Sequence, residues 1–315
     1  MTGNSAPAGA AGEVRPLLKW AGGKRQLLPA IRRFVPPRFS RYIEPFFGSG
    51  ALFFDLHSRG QLADRPVVLM EINADLVGCY QAVRDHPRAV IGHLERLARD
   101  HARHGPSHYY DVRDRRFNPA RLARSGLRPA PDGYTPALAA MLIYLNRTGY
   151  NGLFRLNRAG GFNVPAGRYV RPRICDADNL RQVSAALCRP GVQLVLGSFE
   201  RLDALARAGD FIYLDPPYVP LSRTASFTAY TQFPFGPDEQ IRLQALVVSL
   251  ARRGCRVLLS NSTAPEVARL YDGHPAATAA GLRAHRIPAR RAINSRGSRR
   301  GPVFEYLITN LAEHE

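Results

Sequence analysis

RYIEPFFGSGALFFDLHSRGQLADRPVVLMEIN, residues 41–73, decides the fold. Arg41 to Phe46 reads as a short strand, FFGSG as a Gly-rich turn, and ALFFDLHSRG as an apolar helix. Pro66 to Met70 is a second strand and ends in Glu71-Ile72-Asn73. Strand, tight turn, helix, strand and acid are the opening of a doubly wound α/β sheet. The glycines let a ligand approach the backbone after the first strand. The spacing is not GxGxxG and there is no Walker lysine, so phosphate binding is not indicated. Glu71, about 21 residues after Gly50, is placed to accept hydrogen bonds from ribose hydroxyls.

Downstream, VQLVLGSF, FIYLDPPY, CRVLLSN and FEYLITN read as further strands, with a helix, PDEQIRLQALVVSLARRG, between the second and third. A basic segment, LRAHRIPARRAINSRGSRRGP, joins the last two and is expected to contact phosphates or to be a mobile loop. Between the two sheet-forming parts the texture turns helical, in NADLVGCYQAVRD, PRAVIGHLERLARDHARH and PALAAMLIYLNR. Residues 81–190 hold 19 Arg against 8 acids. The expected organisation is a mobile tail over 1–15, a catalytic domain over 16–80 and 190–315, and a binding insertion over 81–189.

The chain has 315 residues, 45% of them hydrophobic, enough to bury a sizeable core. Its longest nearly pure apolar run, Ala137 to Leu145, is too short to span a bilayer, which takes about 20 helical residues. The N-terminus lacks a charged-then-apolar signal pattern, so a cytoplasmic location is expected. Four cysteines without a CxxC pair argue against a disulfide framework or a zinc site, and no metal is expected. Cys175 and Cys188 flank a predicted helix and read as buried or inert thiols. His101 and His104 read as solvated. Ser198-Phe199 reads either as a contact for a bound ring or as loop packing.

A formal charge of +19, from 44 Lys+Arg against 25 Asp+Glu, points to a polyanionic partner. Among those 44 there are two lysines, Lys19 and Lys24, both in LLKWAGGKRQLLP beside the single tryptophan, Trp20. A chain that uses Arg everywhere else needs an ammonium at these two positions.

FIYLDPPY, residues 211–218, carries the chemistry. Pro216 and Pro217 stop the strand and present Asp215 and Tyr218 at its carboxyl end, the ligand edge of an open α/β sheet. A carboxylate beside a free carbonyl is a double acceptor for an NH₂ group, and a tyrosine offers a face on which a base stacks.

Taken in order, LKWAGGK, EPFFGSG, EIN, YLNRTGYNGLFR, GGFNVPAGRY, YLDPPY and RRAINS resemble the Dam-type (D12 class) DNA adenine methyltransferases. The likeness runs from about Leu17 to Asn310. It implies a Rossmann-like mixed sheet with an inserted helical target-recognition domain, and methyl transfer from S-adenosylmethionine to adenine N6. By position, Trp20, Lys24, Phe47, Gly48, Gly50, Glu71 and Asp215 fall on cofactor contacts, with Glu71 where relatives often have Asp. Asp215, Pro216, Pro217 and Tyr218 fall on the catalytic motif. Lys19, Tyr150, Asn151, Leu153, Arg155, Pro165 and Arg168 fall on the DNA-reading positions, which implies GATC in double-stranded DNA, read after base flipping. The resemblance also implies a bacterial, nucleoid-associated monomer without an obligate protein partner. The alternatives are another amino group, on cytosine or in RNA, and an inactive basic DNA-binding protein. Asp215 disfavours cytosine, and the full set of motif acids and aromatics disfavours loss of activity.

Overall fold

The computed structural model describes residues 13–20, 22–123, 133–219, 235–289 and 303–314. Seven strands form one sheet: β1 Tyr42–Glu44, β2 Val67–Glu71, β3 Val192–Leu196, β4 Phe211–Leu214, β5 Arg256–Ser262, β6 Arg283–Ala289 and β7 Val303–Thr309. Their order is β3-β2-β1-β4-β5-β7-β6. The first five are parallel; β7 runs antiparallel between β5 and β6. The order reverses between β1 and β4, and the chain ends leaving those two strands flank a crevice of the kind where α/β sheets bind ligands.

Alternation along the strands sends side chains to opposite faces. Val67 and Leu69 of β2, with Phe211 and Tyr213 of β4, enter one apolar core. Their neighbours Val68, Met70, Ile212 and Leu214 enter the other. The first core is covered by the helices Ala51–Ser58, Ala74–Asp85, Pro87–His104, Pro136–Thr148 and Ala177–Leu187. The second is covered by Pro237–Arg252 and Pro265–Tyr271. Local signals start several of these helices. Asn73 accepts from the backbone N–H of Asp75 and Leu76, Thr135 accepts from Leu138, and Pro87 and Pro237 occupy first-turn positions.

Residue 81 lies inside the helix Ala74–Asp85, and the basic middle third shares its core with the sheet: Val90, Leu94, Tyr109 and Leu138 pack in the same cluster as Val67 and Tyr213. At the N-terminal side, residues 1–12 fall outside the described residues, whereas Val14 is buried and Arg15 pairs with Asp176 and Asn179.

Two sequence expectations change. The basic joining segment contains β6, which sequence patterning missed. Its arginines, His285 and Pro288 carry no apolar alternation because it pairs on one side only, with β7, and an edge strand tolerates Pro and charge. His101 is not freely solvated: its Nδ1 stands 2.8 Å from the Tyr144 hydroxyl. Cys188 is exposed, while Cys175 is half-buried. The Phe199 ring is stacked 5.5 Å from that of Phe46. His104 and His108 lie 6.3 Å apart between ring centroids, and no group of three metal-ligating side chains occurs among the described residues. Among the described residues, no helix is long and apolar enough to cross a membrane.

Candidate active site

β4 delivers Asp215 to the crevice, and the two prolines end the ladder there. Asp215 Oδ1 is engaged twice: the Lys24 ammonium lies 2.9 Å away, and the Ser260 hydroxyl donates to it at 2.9 Å. Lys24 is 4% exposed and Asp215 21%. Lys24 Nζ also donates to the Gly22 carbonyl at 2.7 Å and sits 4.2 Å from the centre of the Tyr218 ring. This ammonium is thus shared between a carboxylate, a carbonyl and a π face, a compact arrangement that a guanidinium fork would not fit. Burial pushes the Asp215 carboxyl above its ordinary value; the charge and hydrogen bond of Lys24, then Ser260, oppose it. The Tyr218 hydroxyl donates to Glu305 on β7 at 2.5 Å. Burial, with the negative charges of Asp215 and Glu305, raises the phenol well above its usual range, so it stays a donor.

Among the described residues, no hydrogen bond reaches Asp215 Oδ2 or the Pro216 carbonyl, whereas the Pro217 carbonyl accepts from Gln240 at 3.1 Å. Two neighbouring acceptors therefore remain available at the strand end.

The glycine turn after β1 forms the other side. The Gly48 N–H donates to Glu71 Oε2 at 3.0 Å and the Asn73 N–H to Oε1 at 2.9 Å. Burial raises the Glu71 carboxyl, and these backbone donors oppose the rise. The Ile72 N–H acts in the same sense, and of about four lone-pair sites on the carboxylate not all are taken. Gly48 has φ +47°, and a Cβ there would stand 2.9 Å from the Trp20 indole. At Gly50, φ +67°, a Cβ would stand 2.4 Å from the Phe47 ring. Both positions need the left-handed conformation and the missing side chain. Trp20, Lys24, Gly48, Gly50, Glu71 and Asp215 are thus assembled about the ends of β1, β2 and β4. The Phe47 ring packs on Phe53 and Tyr80, which leaves its backbone in the same glycine turn.

Residues 149–167 form a hairpin, bridged at Gly149–Ala166 and Leu156–Phe162. Tyr150 is 51% exposed, and Asn151, at φ +53°, is exposed beside it. Leu153 packs against the core. The Arg155 guanidinium donates across the hairpin to Asn163 Oδ1 at 2.8 Å. Pro165 and Arg168 are exposed, and the Pro165 carbonyl accepts from Tyr150 N–H at 2.9 Å. Lys19 Nζ lies 4.0 Å from the Tyr169 ring. Asn146 ties the two parts together. It exchanges two backbone hydrogen bonds with Lys19, at 2.8 and 2.7 Å, and donates to the Gly152 carbonyl at 2.8 Å. The hairpin therefore adjoins the cofactor-side segment, with Trp20 and Phe154 rings 5.8 Å apart. The block RRAINS lies outside the described residues.

Sequence reasoning missed Ser260, Glu305, Gln240 and Asn146. One signal was available: Ser260-Asn261-Ser262 ends an otherwise apolar strand with three consecutive polar residues.

The profile of the family described as D12 class N6 adenine-specific DNA methyltransferase matches residues 20–292. A type II methyltransferase of Methanocaldococcus jannaschii, M.MjaIII, is 38% identical over 310 residues, covering 95% of this chain and 99% of the relative. Another, M1.LlaDCHI of Lactococcus lactis subsp. cremoris, is 36% identical over 300 residues, covering 94% and 95%. The DNA adenine methylase of Escherichia coli K12 is 34% identical over 296 residues, covering 93% and 94%.

Proposed function

The chain belongs to the D12 class N6 adenine-specific DNA methyltransferases, and from that premise we propose that it methylates adenine N6 within GATC in double-stranded DNA, using S-adenosylmethionine and a flipped-out base. The observation that carries the reading is the division of labour at Asp215. Oδ1 is held by Lys24 and Ser260, and among the described residues no hydrogen bond reaches Oδ2 or the Pro216 carbonyl.

Adenine N6 is a weak nucleophile because its lone pair is delocalised into the ring. Asp215 Oδ2 and the Pro216 carbonyl each accept one of its N–H groups and favour a pyramidal nitrogen with its lone pair free. When bound, the cofactor supplies an electrophilic sulfonium methyl and takes the bonding pair back as a thioether. The nitrogen forms the new N–C bond as the S–C bond breaks, and the cationic amine then passes one proton to solvent, by way of the Asp215 carboxylate that already accepts from it. Gly48 and Gly50 let the turn close on Trp20 and Phe47, where a Cβ would clash, and Glu71 offers its remaining acceptor capacity to ribose hydroxyls. These features fit the cofactor without a metal. Tyr218 supplies a ring face for the flipped base. Catalysis is positioning and electrostatics.

Lys19, Tyr150, Asn151, Leu153, Arg155, Pro165 and Arg168 are the proposed DNA-reading set, with Arg155 reaching a guanine edge. The test is incubation with radiolabelled S-adenosylmethionine and two duplexes, one with GATC and one with the adenine moved out of that context. Label on the GATC duplex alone is expected. Label on both would overturn the site assignment, and label on neither would overturn the reaction.

A further inference from the structure

β5 ends in three buried polar residues, Ser260, Asn261 and Ser262. Burying polar side chains is costly unless each is hydrogen-bonded. Here each is spent on the segment after β4. Ser260 donates to Asp215 Oδ1 at 2.9 Å, and Ser262 donates to the Val219 carbonyl at 2.8 Å. Asn261 acts at one remove. Its Nδ2 donates to Gln240 Oε1 at 3.1 Å, and Gln240 Nε2 donates to the Pro217 carbonyl at 3.1 Å. Asn261 Oδ1 accepts the Ser262 N–H at 2.8 Å, which points its NH₂ at Gln240 and so points the Gln240 NH₂ at Pro217. Gln240 is 2% exposed and stands in the first turns of the helix Pro237–Arg252.

The prolines hold their φ near −65°, so few torsions remain free in this segment. Among the described residues no hydrogen bond reaches the Pro216 carbonyl, whereas that of Pro217 is pinned toward the helix. Pinning it also removes a rival acceptor for an amino group. We propose that Gln240, locked by Asn261, is a positioning residue for methyl transfer: it fixes the Pro217 peptide so that the Pro216 carbonyl and Asp215 Oδ2 are the acceptors that the target amino group meets. This rests on the reaction proposed above.

The test uses the full chain carrying Gln240→Met, which keeps the side-chain length and removes the donor. Single-turnover transfer at saturating S-adenosylmethionine and duplex is expected to slow about 10–100-fold, with both dissociation constants within roughly twofold of wild type. A 2-aminopurine at the target position should still brighten, because flipping does not need the pinned carbonyl. A merely structural role would instead weaken binding and flipping along with transfer. An undiminished transfer rate overturns the inference, as does a loss shared equally by transfer, flipping and both affinities. Should Gln240→Met not fold, Asn261→Leu decides. It removes the donor that orients the Gln240 amide, and is expected to slow transfer with binding intact; an unchanged rate overturns the proposal. Wild type that leaves adenine unlabelled overturns the underlying reaction, and the inference with it. Active wild type beside an equally active Gln240→Met sinks the inference alone.

Discussion

The end of β4 and the hairpin 149–167 solve the same problem in opposite ways. At the β4 end the polar side chains are paired with one another: Lys24 with Asp215, Ser260 with Asp215, Tyr218 with Glu305. In the hairpin it is the backbone that is held from behind. Tyr109 and Arg113 donate to the Val164 carbonyl, Asn118 to Phe162, and Asn146 to Gly152. Its outward side chains are exposed or bonded across the hairpin, as Arg155 is to Asn163. A closed set of internal partners suits a place where charge must be ready before the reaction begins. A frame satisfied through its backbone suits a place whose side chains must be given to a second molecule.

Four measurements would break or sharpen that contrast. Asp215→Ala is expected to lower single-turnover transfer by on the order of 10³-fold, and to lower the melting temperature as well because the buried Lys24 ammonium loses its carboxylate. Retained activity would show that the paired cluster is not the reacting site. Arg155→Ala is expected to relax discrimination between GATC and altered sites by roughly 1–3 kcal/mol, with weaker effects on non-specific duplex. Uniform loss on every duplex would mark Arg155 as a phosphate contact.

The third concerns pH. The carboxylate form of Asp215 is the acceptor, and burial holds its pKa above the ordinary carboxylate value. Transfer should therefore fall as pH drops through that raised pKa and level off above it. Lys24 is the largest opposing influence, so Lys24→Met should move the acid limb to higher pH. An unmoved limb in the rate–pH profile would separate Asp215 from that limb. The smallest effect is expected for Glu305→Gln, which keeps an acceptor for Tyr218 but loses the charge, roughly 1 kcal/mol by thermal denaturation.

Much of the fold was legible because it is local. The apolar runs of β1, β2 and β4, the FFGSG turn and the strand-ending prolines each declare themselves within a few residues. Of the two lysines singled out among so many arginines, Lys24 is buried on Asp215 and Tyr218 and Lys19 lies against the Tyr169 ring. What stayed hidden depends on distance along the chain or on one-sided pairing. β6 carries a basic, proline-containing sequence that an edge strand tolerates. Gln240 looks like an ordinary polar helix residue until Asn261 and Pro217 are seen on either side of it. Asn146 sits in a matched block, but its partner Lys19 is 127 residues away.

That last separation has a consequence for the order of synthesis. Lys19 cannot be seated until Asn146 has left the ribosome, nor Arg15 until Asp176, 161 residues after it. At cellular elongation rates the segment carrying Trp20 and Lys24 waits on the order of ten seconds for its anchors. During that interval Leu17 and Leu18, buried in the finished molecule, can meet only the part of their core already made. The earliest-made segment of the described fold is therefore among the last to be fastened.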